Sequence, residues 1–239
     1  MDYSLEICSL YDKRIINNTP VVIFEDHNMA LPVWGTYASK LKQPLQLITF
    51  DYHADTHDPF AGAVGPHDFD LKRFEENILS KIKYDISDFN FEDVYKLACG
   101  YVRFDEHILT AYKFDYLTGY HVFCALSNDE LVNYERDDRR RGINAFYHAR
   151  SSIRNMKNEE IRGLCDSPLI LDFDLDYFAA PKMFDEVFAD KLAFLIKKAT
   201  VITIAREREC FGLKRADESF QNDDALQLLL NLINDVLKN

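Results

Sequence analysis

The sequence predicts an α/β fold with a mostly parallel sheet and helices on both faces. Four short apolar runs, at positions 20–27, 45–55, 168–178 and 199–209, are rich in β-branched residues and end abruptly at polar residues. Such runs are typical of strands that are buried on both faces. Helical patterns lie between these runs, and strands that alternate with helices favour a parallel sheet covered on each side.

Two segments carry the helical pattern most clearly, with apolar residues at spacings of three and four. The first pattern consists of Leu71, Phe74, Ile78 and Ile82, and the second of Leu226, Leu229, Leu230, Ile233 and Leu237. We expect amphipathic helices that pack on the sheet. The stretch 133–160 is dense in both charges, and we expect a solvated helix or loop there. Because no repeat or linker interrupts the chain, we expect one domain over residues 1–239.

Composition narrows the classes of partner. The 239 residues carry a formal net charge of -12, which would repel a phosphate backbone and attract cationic ligands. We therefore expect no nucleic-acid partner. The five cysteines are scattered, without the spacing of a zinc ribbon or redox pair, and no segment resembles a secretory signal or membrane span. We expect reduced thiols and a soluble cytoplasmic protein that binds no membrane.

Acidic residues follow two of the predicted strands at alternate positions. Residues 51–55 read Asp-Tyr-His-Ala-Asp, and residues 172–176 read Asp-Phe-Asp-Leu-Asp. If the strands continue through these segments, alternate side chains share one face. Carboxylates packed there would repel one another, since unit charges about 4 Å apart interact by roughly 4 kcal/mol at an intermediate dielectric. Oxygen and imidazole donors without thiolate favour manganese, magnesium, iron or zinc, and carboxylates able to bridge favour two ions.

Together with Glu25-Asp26-His27, these motifs resemble the arginase and ureohydrolase superfamily, which has Gly-Asp-His, Asp-Ala-His-x-Asp and Ser-Phe-Asp-x-Asp in the same order. The resemblance implies a three-layer arginase-like fold and two Mn²⁺ ions bridged by Asp51 and Asp174, with Asp172 as a neighbour of the ligands. The implied metal ligands are His27, Asp51, His53, Asp55, Asp174 and Asp176.

The resemblance also implies catalytic residues. His67 lies where the superfamily has a proton-shuttling histidine, with His57 as the alternative. Glu207 is the expected partner of the guanidinium group, preferred over Glu209. The remaining histidines, His107, His121 and His148, receive no role.

The short chain and the Asp-Tyr-Phe at 176–178 resemble the branch labelled UPF0489, which includes peptide arginases. These convert arginine to ornithine in precursor peptides and release urea. The segment 56–62 lacks the Asn- and Ser-containing loop with which free-arginine enzymes hold the amino-acid head group. An arginine-containing precursor peptide is therefore the expected partner, while the oligomeric state stays open.

Other functions remain open at this point. A small-molecule ureohydrolase or an amide deacetylase would use the same fold, although the deacetylases hold a single zinc with fewer carboxylates. A metallophosphoesterase is disfavoured because its Gly-Asn-His and Gly-His-x-His motifs are missing. A non-catalytic, metal-stabilised peptide-binding module is the alternative from a different class.

Overall fold

The computed structural model describes residues 10–64, 71–165 and 168–238, and its strands form one mixed sheet. The strands are β1 Asp12–Ile16, β2 Thr19–Phe24, β3 Leu45–Phe50, β4 Leu117–Cys124, β5 Ala145–Ala149, β6 Leu169–Asp174 and β7 Ala199–Ala205. Their order is β1-β2-β7-β6-β3-β4-β5, and every neighbouring pair is parallel except β1 with β2. The predicted, mostly parallel sheet is confirmed.

Helices cover both faces of this sheet. They are α1 Ala30–Leu41, α2 Ala61–Val64, α3 Leu71–Asn77, α4 Phe91–Tyr101, α5 His107–Lys113, α6 Asn128–Arg140, α7 Ser152–Asn155, α8 Asn158–Gly163, α9 Glu186–Lys198, α10 Arg208–Lys214 and α11 Asn222–Lys238. One apolar cluster joins α1, α4 and α5 to one face of the sheet, and a second joins α9 and α11 to the other. Adjacent residues such as Leu47 and Ile48 enter different clusters because side chains alternate along a strand. The sheet is therefore the middle of three layers.

The predicted helices are present with changed limits. In α11, Leu229, Leu230, Ile233 and Leu237 are buried, as the apolar spacing predicted. The earlier helix is shorter than predicted, since α3 ends at Asn77 and a 3-10 turn follows at Leu79–Lys81. Ile78 and Ile82 still pack against the core, although the chain that carries them is no longer α-helical.

The prediction of a solvated helix or loop at 133–160 was wrong in part. The exposed end of α6 lies there, but so do β5, α7 and the start of α8. Ala145, Tyr147 and Ile153 are buried. β5 has only five residues and an exposed Phe146, so the apolar run that marked β2, β3, β6 and β7 is missing.

The topology brings four strand ends together. β2, β7, β6 and β3 are consecutive in the sheet and parallel, so the residues at and just after their carboxyl ends meet at one edge. His27, Glu207, Asp174 and Asp51 occupy those positions. Among the described residues, no disulfide is formed, and no helix combines the length and apolar character needed to cross a bilayer.

Candidate metal centre

The loop after β3 carries the first group of candidate ligands. The expectation that the strand continues through Asp55 was wrong, because β3 ends at Phe50 and Asp55 adopts a left-handed backbone with φ 50°. The backbone N–H of His53 donates to Asp51 Oδ1 at 2.7 Å, which is the local bond by which an aspartate turns the chain. Asp51, His53 and Asp55 nevertheless each offer one ligand atom within 4.8 Å of the others.

The end of β6 supplies the second group. Asp174 is the last residue of the strand, and Asp176 lies in the 3-10 turn Leu175–Phe178. The N–H of Asp176 donates to Asp174 Oδ1 at 3.1 Å, and the N–H of Tyr52 donates to Asp176 Oδ1 at 3.1 Å. These bonds join the two loops, and ligand atoms of Asp51, Asp174 and Asp176 lie within 4.8 Å of one another.

His27 presents one ring nitrogen to these carboxylates. It follows β2 in a 3-10 turn, and its ring is fully buried. Nδ1 lies 3.1 Å from Asp55 Oδ2, 3.4 Å from Asp51 Oδ2 and 3.6 Å from Asp174 Oδ2. On the other side of the ring, Nε2 lies 2.8 Å from Asp172 Oδ2. A proton on Nε2, donated to Asp172, leaves the Nδ1 lone pair available to a cation.

Asp172 is fixed for this task by its neighbours. The hydroxyl of Thr49 on β3 donates to Oδ2 at 2.8 Å, and the hydroxyl of Thr203 on β7 donates to Oδ1 at 2.5 Å. Both oxygens are thus engaged from adjacent strands. Asp172 therefore orients the His27 ring and lies next to the ligand group, as the resemblance implied.

The electrostatics of the cluster call for positive charge. Asp51 Oδ2, Asp174 Oδ2 and Asp176 Oδ2 are buried and have no hydrogen-bond donor among the described residues. Burial, together with the neighbouring carboxylates, raises the pKa of Asp55, Asp174 and Asp176 well above the usual value. A metal ion supplies the missing partner for such oxygens, and this donor set fits hard or borderline divalent ions.

His27 titrates under opposing influences in the same cluster. Burial lowers its pKa, but the Asp172 carboxylate, with smaller contributions from Asp51 and Asp55, outweighs burial and raises the pKa well above 6.5. A cation bound by His27 and these carboxylates would compete with protons for the same atoms.

Glu207 is the glutamate that the fold brings to the cluster. It follows β7, has a left-handed backbone with φ 38° and precedes α10. Its Oε1 accepts from the N–H of His27 at 3.3 Å, and it offers a ligand atom within 4.8 Å of those of His27 and Asp174. Burial raises the pKa of Glu207. Glu209, the alternative, is exposed in the first turn of α10.

The candidate proton shuttles lie differently. His67 lies outside the described residues. His57 is exposed, and its backbone N–H donates to the Asp105 carbonyl at 2.9 Å. His53 has a side chain that is 45% exposed, and its Nδ1 lies 3.4 Å from Asp176 Oδ2, so it lies at the open side of the cluster.

Sequence reasoning gave no role to His107, which lies against the cluster. Its buried ring is 4.2 Å from that of His27, and it offers a ligand atom within 4.8 Å of those of His27 and Asp55. Nδ1 lies 2.7 Å from the Phe104 carbonyl oxygen, which can only accept, so Nδ1 carries the proton. Nε2 has no partner among the described residues. His107 begins α5, and no local motif marks it.

The other two histidines lie elsewhere. His121 on β4 and His148 on β5 meet at 3.1 Å, and His148 stacks on Phe123 in the second apolar cluster. Burial lowers the pKa of each to about 4. They form a neutral pair within the sheet, apart from the ligand groups described above.

The profile of the arginase family matches residues 7–180. The chain belongs to the arginase family. Proclavaminate amidino hydrolase from Streptomyces clavuligerus superposes with a TM-score of 0.52 at 11% identity, and Trypanosoma cruzi formiminoglutamase, determined with manganese, with 0.55 at 13%. Each alignment covers 91% of this chain but only 62% and 64% of those chains, respectively. No curated protein matches the sequence.

These findings confirm the predicted superfamily and the arginase-like α/β fold. At such low identities the structural likeness concerns the fold alone. The chain spans less than two thirds of the length of the arginase-fold structures that it matches.

Proposed function

We propose that this protein is a dinuclear manganese hydrolase that converts arginine within peptides to ornithine and releases urea. The observation that carries this proposal is the buried carboxylate cluster facing His27 Nδ1, in a chain of the arginase family. In this proposal, Asp51 and Asp174 would each hold both ions. The full ligand set is His27, Asp51, His53, Asp55, Asp174 and Asp176.

Divalent ions bound in such a site lower the pKa of water toward neutrality and stabilise developing negative charge. The residues of the chain prepare the site for this chemistry. Asp172 lies 2.8 Å from Nε2 of the His27 ring, which orients Nδ1 toward the carboxylate cluster. The carboxylates of Asp51 and Asp176 are held in place because each accepts a hydrogen bond from a backbone N–H.

Glu207 is proposed to hold the substrate guanidinium. Its carboxylate lies beside the cluster, and a carboxylate that accepts two guanidinium N–H groups fixes both position and plane. A proton must also reach the nitrogen that leaves as ornithine. We assign this transfer to His67, with His57 as the alternative.

The loop after the ligands supports a peptide substrate. The hydroxyls of Thr56 and Tyr147 are hydrogen-bonded to each other at 2.8 Å, and Asp58 pairs with Arg141 at 2.9 Å. Since these polar groups are engaged within the chain, they offer little to the ammonium and carboxylate of free arginine. A peptide can recover binding energy along its backbone instead.

The test is urea release by the manganese-loaded protein from arginine peptides, free arginine and agmatine. We expect peptides to react fastest, and each converted arginine to lose about 42 Da in mass spectrometry as urea departs. Asp176→Asn should abolish the reaction, whereas the buried Asp138→Asn, outside the cluster, should retain it.

Other outcomes distinguish the alternatives. Faster turnover of a small molecule would replace the peptide substrate, and release of acetate from acetyl-lysine peptides would favour a deacetylase. If peptides bind but none of these compounds reacts with manganese present, the protein is a binding module.

A further inference from the structure

A pocket of about 370 Å³ lies beside the metal centre, at the carboxyl end of β4. Residues 124–126 form one wall. Asp51 donates its N–H to the Phe123 carbonyl, and Ala125 donates its N–H to the Tyr52 carbonyl, each at 3.1 Å. This wall therefore runs along the same loop that carries Asp51 and His53.

The charges around this pocket are unlike those of the chain as a whole. Arg150, Arg154 and Lys182 line it, and among the described residues no carboxylate does. The protein carries a net charge of -12, so its overall field would repel an anion. Three cations collected at one pocket therefore indicate a local preference for negative charge.

Arg150 is the residue that best indicates a bound ligand. Its guanidinium lies 4.9 Å from the centre of the Tyr177 ring and 5.5 Å from that of Tyr52. No carboxylate of the described residues pairs with it, and its buried Nε has no acceptor. A guanidinium fork held over aromatic rings with free N–H groups is suited to bind a carboxylate through two hydrogen bonds.

The other two cations differ in their partners. Arg154 is held in place by Asp185 Oδ2 at 3.2 Å and by the Met183 carbonyl at 3.1 Å. Lys182 is exposed and forms no ion pair with the described residues. Arg150 and Lys182 are therefore the cations available to a ligand, and Arg154 strengthens the local field.

The position of Arg150 relates this pocket to the reaction. Tyr52 stands between Asp51 and His53 in the chain, and Tyr177 follows Asp176. The guanidinium thus lies on the side chains next to the ligand groups. An anion bound at this guanidinium would therefore lie beside the loops that carry the proposed ligands, within reach of another part of the same substrate.

We propose that this basic pocket, defined by Arg150, Arg154 and Lys182, binds a carboxylate that the substrate carries next to its guanidino group. The inference rests on the proposed function and narrows its substrate class. The carboxylate has several sources with the same chemistry: an acidic residue beside the arginine, the free carboxyl terminus of a peptide, or the acid group of a small guanidino acid.

The first experiment compares acetyl-Gly-Arg-Glu-Gly-amide with its Gln counterpart, and the same pair with Glu or Gln before the arginine. We expect kcat/KM to be about tenfold or more higher for at least one acidic peptide than for its neutral counterpart, as for a hydrogen-bonded charge pair. Acetyl-Gly-Arg as free acid or amide, and guanidinobutyrate against agmatine, identify the source of the carboxylate.

Substitutions in the pocket show which residue causes the preference for acidic peptides. Arg150→Met should bring the acidic-to-neutral ratio close to one, and Arg150→Lys should restore part of it. Arg162→Gln is the matched control, because Arg162 also lies over an aromatic ring, Phe194, but does not line the pocket. Should Arg150→Met fail to fold, the exposed Lys182→Gln should still lower the ratio, by about threefold.

A binding measurement separates this proposal from the proposed function. Calorimetry with the same peptides carrying ornithine in place of arginine requires no turnover. Tighter binding of the acidic peptide, lost in Arg150→Met, would support the basic pocket even if no urea is released. Urea release with equal kcat/KM for acidic and neutral members of every pair, and equal binding in wild type and variants, would overturn the pocket and leave the activity standing.

Discussion

Two buried carboxylates, Asp138 on α6 and Asp174 at the end of β6, are equally enclosed but have different partners. Asp138 is 3% exposed, and its Oδ2 accepts from the hydroxyls of Tyr120 at 2.7 Å and Tyr147 at 2.5 Å. Asp174 is 1% exposed, and its Oδ1 accepts from the N–H of Asp176 at 3.1 Å. Its Oδ2 has no donor among the described residues.

The difference shows that burial alone does not mark a functional carboxylate. Asp138 is solvated by its two tyrosines and needs nothing further from outside the chain. Asp174 faces other carboxylates, and burial with the charges of Asp176 and Asp51 raises its pKa well above the usual value. A buried acid whose surroundings lack donors must take up a proton or bind a cation, whereas one with donors serves the fold.

Asp174→Asn should have the largest effect on metal content and activity. We expect loss of both metal ions, since Asp174 is the proposed bridge, and a fall in urea release on the order of a thousandfold. Elemental analysis of the purified variant gives the direct measurement, with Asp138→Asn as the buried control that keeps its metal. Full metal content in Asp174→Asn would contradict the bridging assignment.

Glu207 lies between the two cases, because it is largely buried and accepts one backbone N–H from His27. If it holds the guanidinium, Glu207→Gln should lower kcat/KM by about a hundredfold while the metal content stays the same. The neighbouring exposed Glu209→Gln is the matched control and should behave as wild type. Equal losses in both variants would argue for a general effect of charge.

Asp138→Asn tests the other side of the comparison. The substitution removes the charge that strengthens two buried hydrogen bonds, so the free energy of unfolding should fall by about 1–2 kcal/mol without change in metal binding. Denaturant titration measures this, with the adjacent exposed Asp137→Asn expected within about 0.5 kcal/mol of wild type. A loss of metal in Asp138→Asn would place Asp138 in the functional site.

The smallest expected effect concerns His148. Carboxylates raise the pKa of His27, whereas burial lowers that of His148 to about 4. A lowered pKa means that the unfolded chain binds more protons between about pH 4 and 6.5. The stabilisation from neutral His148 is therefore present above pH 6.5 and is lost as the pH falls toward 4.

Replacement of this histidine should reveal the effect. We expect His148→Phe to reduce the loss of unfolding free energy between pH 6.5 and 4.5 by about 1 kcal/mol. Denaturant titrations at several pH values check this against wild type. An unchanged pH dependence would show that His148 is protonated in the folded protein.

The strands that could be predicted were those whose own residues show the apolar pattern of a buried strand. The apolar runs became β2, β3, β6 and β7, since strands buried on both faces are continuously apolar. β4 and β5 were not predicted, because His121 and His148 interrupt their apolar character; the two histidines meet across the strands at 3.1 Å.

The metal motifs were also readable in the sequence, because aspartate and histidine at strand ends define a donor set by residue type and order. That order, from His27 to Asp176, is sufficient to indicate the superfamily. The assumed geometry was nevertheless wrong, since Asp51, His53 and Asp55 converge through a loop and not along a continued strand.

Which buried acid receives hydrogen bonds and which lacks a donor depends on contacts between distant segments of the chain. Asp172 and Asp174 are two residues apart on β6, yet Thr49 and Thr203 from neighbouring strands satisfy the first and not the second. His107 and Arg150 likewise acquire their positions from α5 and from the end of β5. The physical reason is that hydrogen bonding and desolvation depend on distances between segments far apart in the chain. The residue types and their order along the chain define the available metal ligands. Packing defines which of these carboxylates lack a hydrogen-bond donor.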